Sequence, residues 1–367
     1  MTTTQDVIVV GGGAVGVACA RELAGAGRSV LVLDRERNAG DGWRAAAGML
    51  APQVEASEDD VLFEIGLAGR ERIAELAALL LEATGTDIEF RQSGIARIAT
   101  RAAAVGELKA RVAWQRQQGH YCDWFDAEEV RTRWPWLGPT MGALWAPREA
   151  TVNPVRLVEG LRKDAERMGA RFVAAEVTAL ERHAERVVGV LAGERYSAPD
   201  VVIAAGAWSG RLLGLPRPLS IEPIRGQMAA LPWPAGVEPA VICGDESYIV
   251  GRGSEALVGS TMEHAGFSPE VTPAGLARIL DGVSALCPAW ARFEVSRTWA
   301  GLRPVTPDGL PIIGREPRSE GLWYATGHGR NGILLSAVTG QIIARLLAGE
   351  NELENLHPLR PERFWNW

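Results

Sequence analysis

An α/β fold built in two sheet-based parts is predicted by three observations. Asp6-Val7-Ile8-Val9-Val10 is an apolar strand that runs into Gly11-Gly12-Gly13-Ala14-Val15-Gly16 and then into a helical stretch. Val30-Leu31-Val32-Leu33 reads as a second strand and ends at Asp34. The 367 residues exceed the usual size of one domain, and short strand candidates recur far downstream. Together these predict a Rossmann-like nucleotide-binding domain joined to a second, mixed, sheet-based domain.

In the opening unit each glycine has its own task. Gly11 permits the tight turn, Gly13 lets the backbone approach a pyrophosphate, and Gly16 lets the helix pack closely on the strand. The helix, expected over residues 15–26, offers free amides to a diphosphate. Asp34 is placed to accept hydrogen bonds from a ribose, and its charge disfavours a 2'-phosphate. The motif alone leaves FAD and NAD open.

Residues 63–83 carry Leu67, Ile73, Leu76, Leu79, Leu80 and Leu81 among charges, which predicts an amphipathic helix before a turn at Gly85. Residues 87–99 look strand-rich, with Gly94 at a hairpin or bulge. Trp134-Pro135-Trp136-Leu137-Gly138-Pro139 is a rigid connector beside the second sheet. The order changes at Asn153-Pro154, 155–168 has helical spacing, and 171–175, 187–191 and 200–204 are strand candidates that return the chain to the first domain. Ile203-Ala204-Ala205-Gly206-Ala207-Trp208 is a strand end running into small residues, as expected beside a cofactor. A mixed segment follows over 221–298, with Tyr248-Ile249-Val250, Ala256-Leu257-Val258-Gly259 and a helix over 274–286. Residues 327–347 join a glycine-rich turn to an apolar helix. The resulting division assigns 1–85, 151–220 and 299–367 to the nucleotide domain, and 86–150 and 221–298 to the substrate domain. The Trp/Pro-rich tail is expected to dock on the protein.

Composition narrows the function. Net charge is -7 with both signs interspersed, so no basic face is offered to nucleic acid. Four cysteines are widely spaced, which fits neither a zinc site nor a disulfide framework, and no metal is expected. Cys19 reads as a packing residue in the first helix. The first six residues lack an export-type segment and no apolar run is long enough for a membrane span, so a cytoplasmic protein is expected.

Four separated motifs then carry a resemblance over nearly the whole chain, in order. The dinucleotide motif is followed by Ala45-Ala46-Ala47-Gly48-Met49-Leu50-Ala51-Pro52-Gln53. Farther on come Trp299-Ala300-Gly301-Leu302-Arg303-Pro304 with Thr306-Pro307-Asp308-Gly309, and Gly327-His328-Gly329-Arg330-Asn331-Gly332-Ile333-Leu334-Leu335. The combination resembles the D-amino-acid oxidase and sarcosine-oxidase-like family of FAD enzymes, the thiamine-pathway glycine oxidases in particular. The resemblance implies FAD, held by Gly11, Gly13, Ala14, Val15, Gly16, Asp34, Arg35, Ala46, Ala47, Gly48, Met49, Val177, Ala205, Gly206, Trp208, Arg303, Gly329, Arg330, Asn331, Gly332 and Ile333.

It also implies the chemistry. A small amino acid or amine gives a hydride to flavin N5, the imine hydrolyses to oxoacid and ammonia, and oxygen reoxidises the flavin to give peroxide. By motif position Arg303 holds the substrate carboxylate bidentately, with a structural ion pair as its alternative use. Tyr248 binds the same carboxylate or serves the core. Met262 forms an apolar wall or simply fills space, and Arg330 contacts flavin and substrate or fixes its own loop. No residue is assigned as a catalytic base, and His328 is not given that role.

Some positions depart from the family pattern. Glu246 stands where a histidine is common, Gly251 replaces a proline, Gly329 replaces a bulky residue, and Ser336-Ala337-Val338-Thr339 replaces Ala-Pro-Ala-Thr. These changes loosen strict glycine specificity, since one methylene is worth only about 1–3 kcal/mol in a fitted pocket. A D-amino-acid or secondary-amine oxidase is the same-fold alternative. No cysteine follows Cys287, which argues against covalent flavin attachment in the late region. A non-catalytic FAD-binding protein and an NAD-dependent dehydrogenase are the alternatives of other classes. Homo-oligomerisation is a family expectation.

Overall fold

The computed structural model describes residues 5–36, 40–350 and 354–364. Its central strand, Val7–Val10, pairs in parallel with Val30–Asp34 on one side and Asp200–Ile203 on the other. Arg171–Ala174 extends one edge of this sheet, and Leu322–Thr326 followed by Ile312–Arg315 extends the other. Ile312–Arg315 runs antiparallel to its neighbour.

Both faces of this sheet are covered, which is why its inner strands are continuous apolar runs rather than alternating ones. Val7, Val9, Val30 and Val32 face a helical layer. That layer comprises Ala14–Gly25, Val61–Thr84, Pro154–Arg167 and Ser336–Leu347. Ile8, Val10, Leu31 and Leu33 face the other way, onto Leu180, Val187 and Val190. These three belong to a small antiparallel sheet of Ala179–His183, Arg186–Ala192 and Glu194–Ser197.

Local chemistry sets the helix ends. Asp60 accepts a hydrogen bond from the Phe63 N–H to start Val61–Thr84, and Gly85 at φ 68° ends it. Asn153 accepts from the N–H groups of Val155 and Arg156, with Pro154 in the first turn. Cys19 is fully buried in the first helix, and burial raises its thiol pKa.

The second sheet has the order Gly40–Asp41, Arg297–Val305, Glu222–Pro232, Glu255–Gly259, Tyr248–Arg252, Val241–Cys243, Ile95–Ile98, Ala143–Ala146 and Asp123–Phe125. One face packs against helix Pro273–Leu286 and an indole cluster in which Trp136 stacks on Trp290 at 5.1 Å. That stacking pins the Trp134–Pro connector. The opposite face carries Met228, Val241, Cys243 and Val250 beneath Ala47, Ala51 and Val54.

The structure differs from expectation in two places. Of residues 87–99 only Ile95–Ile98 forms a strand. Upstream, the Glu89 N–H bonds the Asp87 carboxylate and Glu89 takes φ 54°, a turn geometry that breaks the run. Gly94, at φ 75°, lies against the Trp145 ring, where a methyl group would sit 2.1 Å from it. Strand Arg297–Val305 crosses the expected division at 298/299 and belongs wholly to the second sheet.

In the tail, Arg363 bonds the Asp308 carboxylate at 2.7 Å. Trp365 and Trp367 lie outside the described residues, as do residues 1–4 of the start read for export. No helix among the described residues is long and apolar enough to cross a membrane.

Candidate active site

The glycine turn opens onto a cavity of about 1150 Å³ between the two sheets. Gly11 has φ 106°, and a methyl group there would meet the Ala204 carbonyl oxygen at 2.5 Å. Helix Ala14–Gly25 starts after Gly13 with no side-chain cap and no acid in its first turn. Its free amides are therefore left for an anion.

Asp34 is fixed at its strand end. Its carboxylate accepts the Gly12 N–H at 2.6 Å and the Glu36 N–H at 2.8 Å. Arg35 lies 3.6 Å over the Trp208 ring, and its guanidinium is 3.9 Å from Asp41. Burial, with the charge of Asp34 beside it, pushes the Asp41 carboxyl up to about 6.

All the expected cofactor residues except Gly16 line this cavity, and Tyr248 and Met262 line it too. Gly16 is a packing glycine, since a methyl group there would overlap the Gly11 carbonyl oxygen at 1.9 Å. It acts through the approach of helix to strand rather than by facing the cavity.

Register builds the other end. Trp299 pairs with Met228, Met228 with Gly259, Gly259 with Tyr248, Tyr248 with Cys243, and Cys243 with Arg97. Paired residues in a sheet share a face, so this row forms one wall. Arg303, on the same strand as Trp299, lays its guanidinium across Gly226, where a methyl group would come within 2.2 Å of it. Its Nη1 donates to the Thr261 carbonyl at 2.9 Å and its Nη2 to Ser260 Oγ at 2.8 Å. No carboxylate among the described residues lies within 4.0 Å of it. Burial lowers its pKa, and Arg330 adds to the fall. A guanidinium this desolvated and without an acid partner calls for an external anion.

The Tyr248 hydroxyl donates to Met228 Sδ at 3.0 Å, and burial raises its pKa, keeping it a protonated donor. Met262 is 59% exposed, with its sulfur 3.4 Å from the Arg303 guanidinium, so it stands at the rim. Arg330 pairs with Glu55 at 3.0 Å.

Glu55 is a residue that sequence reasoning missed. It ends the short helix Pro52–Glu55, whose Gln53 and Val54 N–H groups both donate to the fully buried Glu149 carboxylate. Gly226, Ser260 and Arg97 were also missed. For Glu55 the signal lay two positions beyond the Ala45-to-Gln53 motif; for the others, nothing local marks them.

His328 is buried, with Nε2 3.0 Å from Thr339 Oγ1, and burial holds its pKa down to about 3. It is a neutral structural imidazole. Gly329 has φ 53° and open space where a side chain would begin. Glu246 is exposed at the cavity edge.

An uncapped helix N-terminus, a fixed acid at the next strand end and an arginine with no acid partner among the described residues share one cavity, the arrangement of a dinucleotide-binding protein with room for an anion. The family of FAD dependent oxidoreductases matches residues 6–346, and the chain belongs to it. It is 33% identical to the glycine oxidase of Geobacillus kaustophilus over 98% of this chain and 97% of that protein. It is also 33% identical to the bifunctional protein ThiO/ThiG of Synechocystis sp., covering 99% of this chain but 55% of that protein. The chain thus spans about half the length of that bifunctional relative. The crystal structure of the Geobacillus kaustophilus glycine oxidase superposes with a TM-score of 0.92 at 31% identity, over 98% of this chain and 99% of that one. The cavity fits FAD on its own geometry, because the free amides after Gly13 and the carboxylate of Asp34 are spaced by one βαβ unit, as a dinucleotide requires.

Proposed function

We propose that this enzyme oxidises glycine or another small amino acid, releasing the oxoacid and ammonia. The observation that carries this reading is Arg303, a half-buried guanidinium with no acid partner among the described residues, facing the same cavity as the dinucleotide cradle. FAD, when bound, would supply the redox chemistry, as a two-electron acceptor for oxidation at the substrate α-carbon that oxygen can reoxidise with release of peroxide.

The protein's work is holding and orienting. The amides after Gly13 hold the diphosphate and Asp34 the ribose. Arg35 with Trp208, the segment Ala46-Ala47-Gly48-Met49, Val177, Ala205, Gly206 and the turn from Gly329 to Ile333 shape the rest of the cradle. Arg303 takes the substrate carboxylate in a fork, and the Tyr248 hydroxyl turns from Met228 to donate to the same group. Anchoring the carboxylate fixes the α-carbon, which removes much of the entropic part of the barrier. The substrate amine loses its proton before or during hydride transfer, and no side chain is assigned as its base. Met262 guards the rim, and the Arg330–Glu55 pair stands in the same lining.

Two sheets sharing one cavity support the division into a nucleotide part (1–85, 151–220, 299–367) and a substrate part (86–150, 221–298), with the last crossing moved to follow Val305. A cytoplasmic homo-oligomer that feeds thiazole formation for thiamine completes the reading, as the family resemblance implies. A D-amino-acid or secondary-amine oxidase is the second reading, favoured by the open space at Gly329.

Anaerobic mixing of the air-oxidised holoenzyme with glycine, sarcosine and D-alanine, followed at the flavin band near about 450 nm, tests both. Bleaching by glycine that oxygen reverses with peroxide release is the expected result. Faster bleaching by sarcosine or D-alanine moves the assignment to the second reading, and flavin that stays oxidised throughout overturns both.

A further inference from the structure

We propose that Arg97 forms a second anion-holding point in the same cavity, so that the preferred substrate is an amino acid bearing a second acidic group, of the N-carboxymethylglycine class. The inference rests on the amino-acid reading above and adds the chemistry of the substituent.

Arg97 sits in strand Ile95–Ile98, with Ala96 and Ile98 turned into the core on the opposite face. Its register partner Cys243 pairs in turn with Tyr248. Arg97 therefore shares the cavity face with Tyr248 at a distance of two strands, about 10 Å between backbones. A carboxylate at each end of a short dicarboxylate spans the gap once a long arginine side chain reaches inward.

The charge balance on this wall points the same way. Arg97 is half-buried, lines the cavity and has no carboxylate within 4.0 Å among the described residues. Glu55 is engaged by Arg330 at 3.0 Å, and Asp245 by Arg101 at 3.3 Å, while Glu246 is exposed at the rim. Arg111, just behind the wall, has its pKa lowered by burial and by the charges of Arg97 and Arg330. Arg97, Arg111 and Arg330 are thus answered by two carboxylates, Glu55, which Arg330 holds, and Glu107, which offsets part of the charge beside Arg111. A bound anion beside Arg97 relieves the crowding, and Arg303 is already occupied by the α-carboxylate.

The test is calorimetric titration of the FAD-loaded enzyme with succinate and with propionate, neither of which needs turnover to bind. Wild type should bind succinate about tenfold or more tightly than propionate. The preference should collapse in Arg97→Gln and largely survive in Arg97→Lys, with flavin content reporting that each variant folds. Equal affinities in wild type, or an unchanged preference in Arg97→Gln, overturn the proposal. In parallel, N-carboxymethylglycine and sarcosine are compared as reductants of the flavin. If neither they nor glycine bleach it while the succinate preference stands and depends on Arg97, the oxidase reading falls and the second anion point survives. If amines bleach it and the preference is absent, only the second anion point falls.

Discussion

Arg303 is useful because of what surrounds it. Its fork is aimed by the Thr261 carbonyl and Ser260 Oγ, and its flat face rests on the bare backbone of Gly226. A carboxylate can then meet two parallel N–H groups without the side chain first losing its rotamer freedom. Gly226→Ala puts a methyl group where the guanidinium lies, while nothing in the cradle for the diphosphate is touched. The expected outcome is retained flavin with Kd for carboxylate ligands raised about tenfold or more, the scale of one charge-assisted hydrogen bond. Titration of the flavin spectrum with acetate measures this, and an unchanged Kd would show that Arg303 is not held by that contact. Arg303 was legible from its motif, because a Gly-Leu-Arg-Pro run is contiguous. Gly226 was not, because its meaning comes from a register that joins two strands distant in sequence.

At the scale of elements, what the sequence displays is what is local. The amphipathic stretch before Gly85 and the helically spaced stretch after Asn153-Pro154 appear as helices, because turn residue and apolar stripe lie within a few residues of each other. The nine-stranded order was beyond reach, because it pairs Ile95–Ile98 with Val241–Cys243, and nothing in either strand names its partner. The same limit hid the buried bond between two helices of the cofactor layer. Arg21 Nε donates to Asp164 at 2.7 Å, with both side chains buried, and Arg167 holds the other oxygen of Asp164. Asp164→Asn leaves the Arg21 charge with only its neighbour Glu22. The expected loss is about 3 kcal/mol in urea unfolding of the holoenzyme, with the flavin spectrum unchanged at low urea. A loss below about 0.5 kcal/mol would mean the pair does no more than a surface bridge.

At the scale of the molecule, the cavity is the seam of the fold. Its walls come from the first glycine turn, from Met228, Tyr248, Cys243 and Arg97 along one row of the second sheet, and from the late turn of Gly329 to Ile333, so both sheets and distant parts of the chain meet there. A group bound in such a seam touches surfaces that only the native state brings together. It should therefore stabilise the whole fold by mass action, by about 2.7 kcal/mol when free FAD stands at a hundredfold excess over its Kd. Protein stripped of FAD is expected to melt at lower temperature, and its Tm should climb with each increment of FAD restored. Scanning calorimetry across an FAD series reads this directly. A Tm that ignores FAD would mean that FAD does not bind the native state in preference to the unfolded chain, because binding confined to the native state has to raise the stability of that state. The single seam also determines the form of the transition. If the two sheets are tied together through it, the holoenzyme should unfold in one cooperative step, and the stripped protein should separate into two as each sheet melts with its own core.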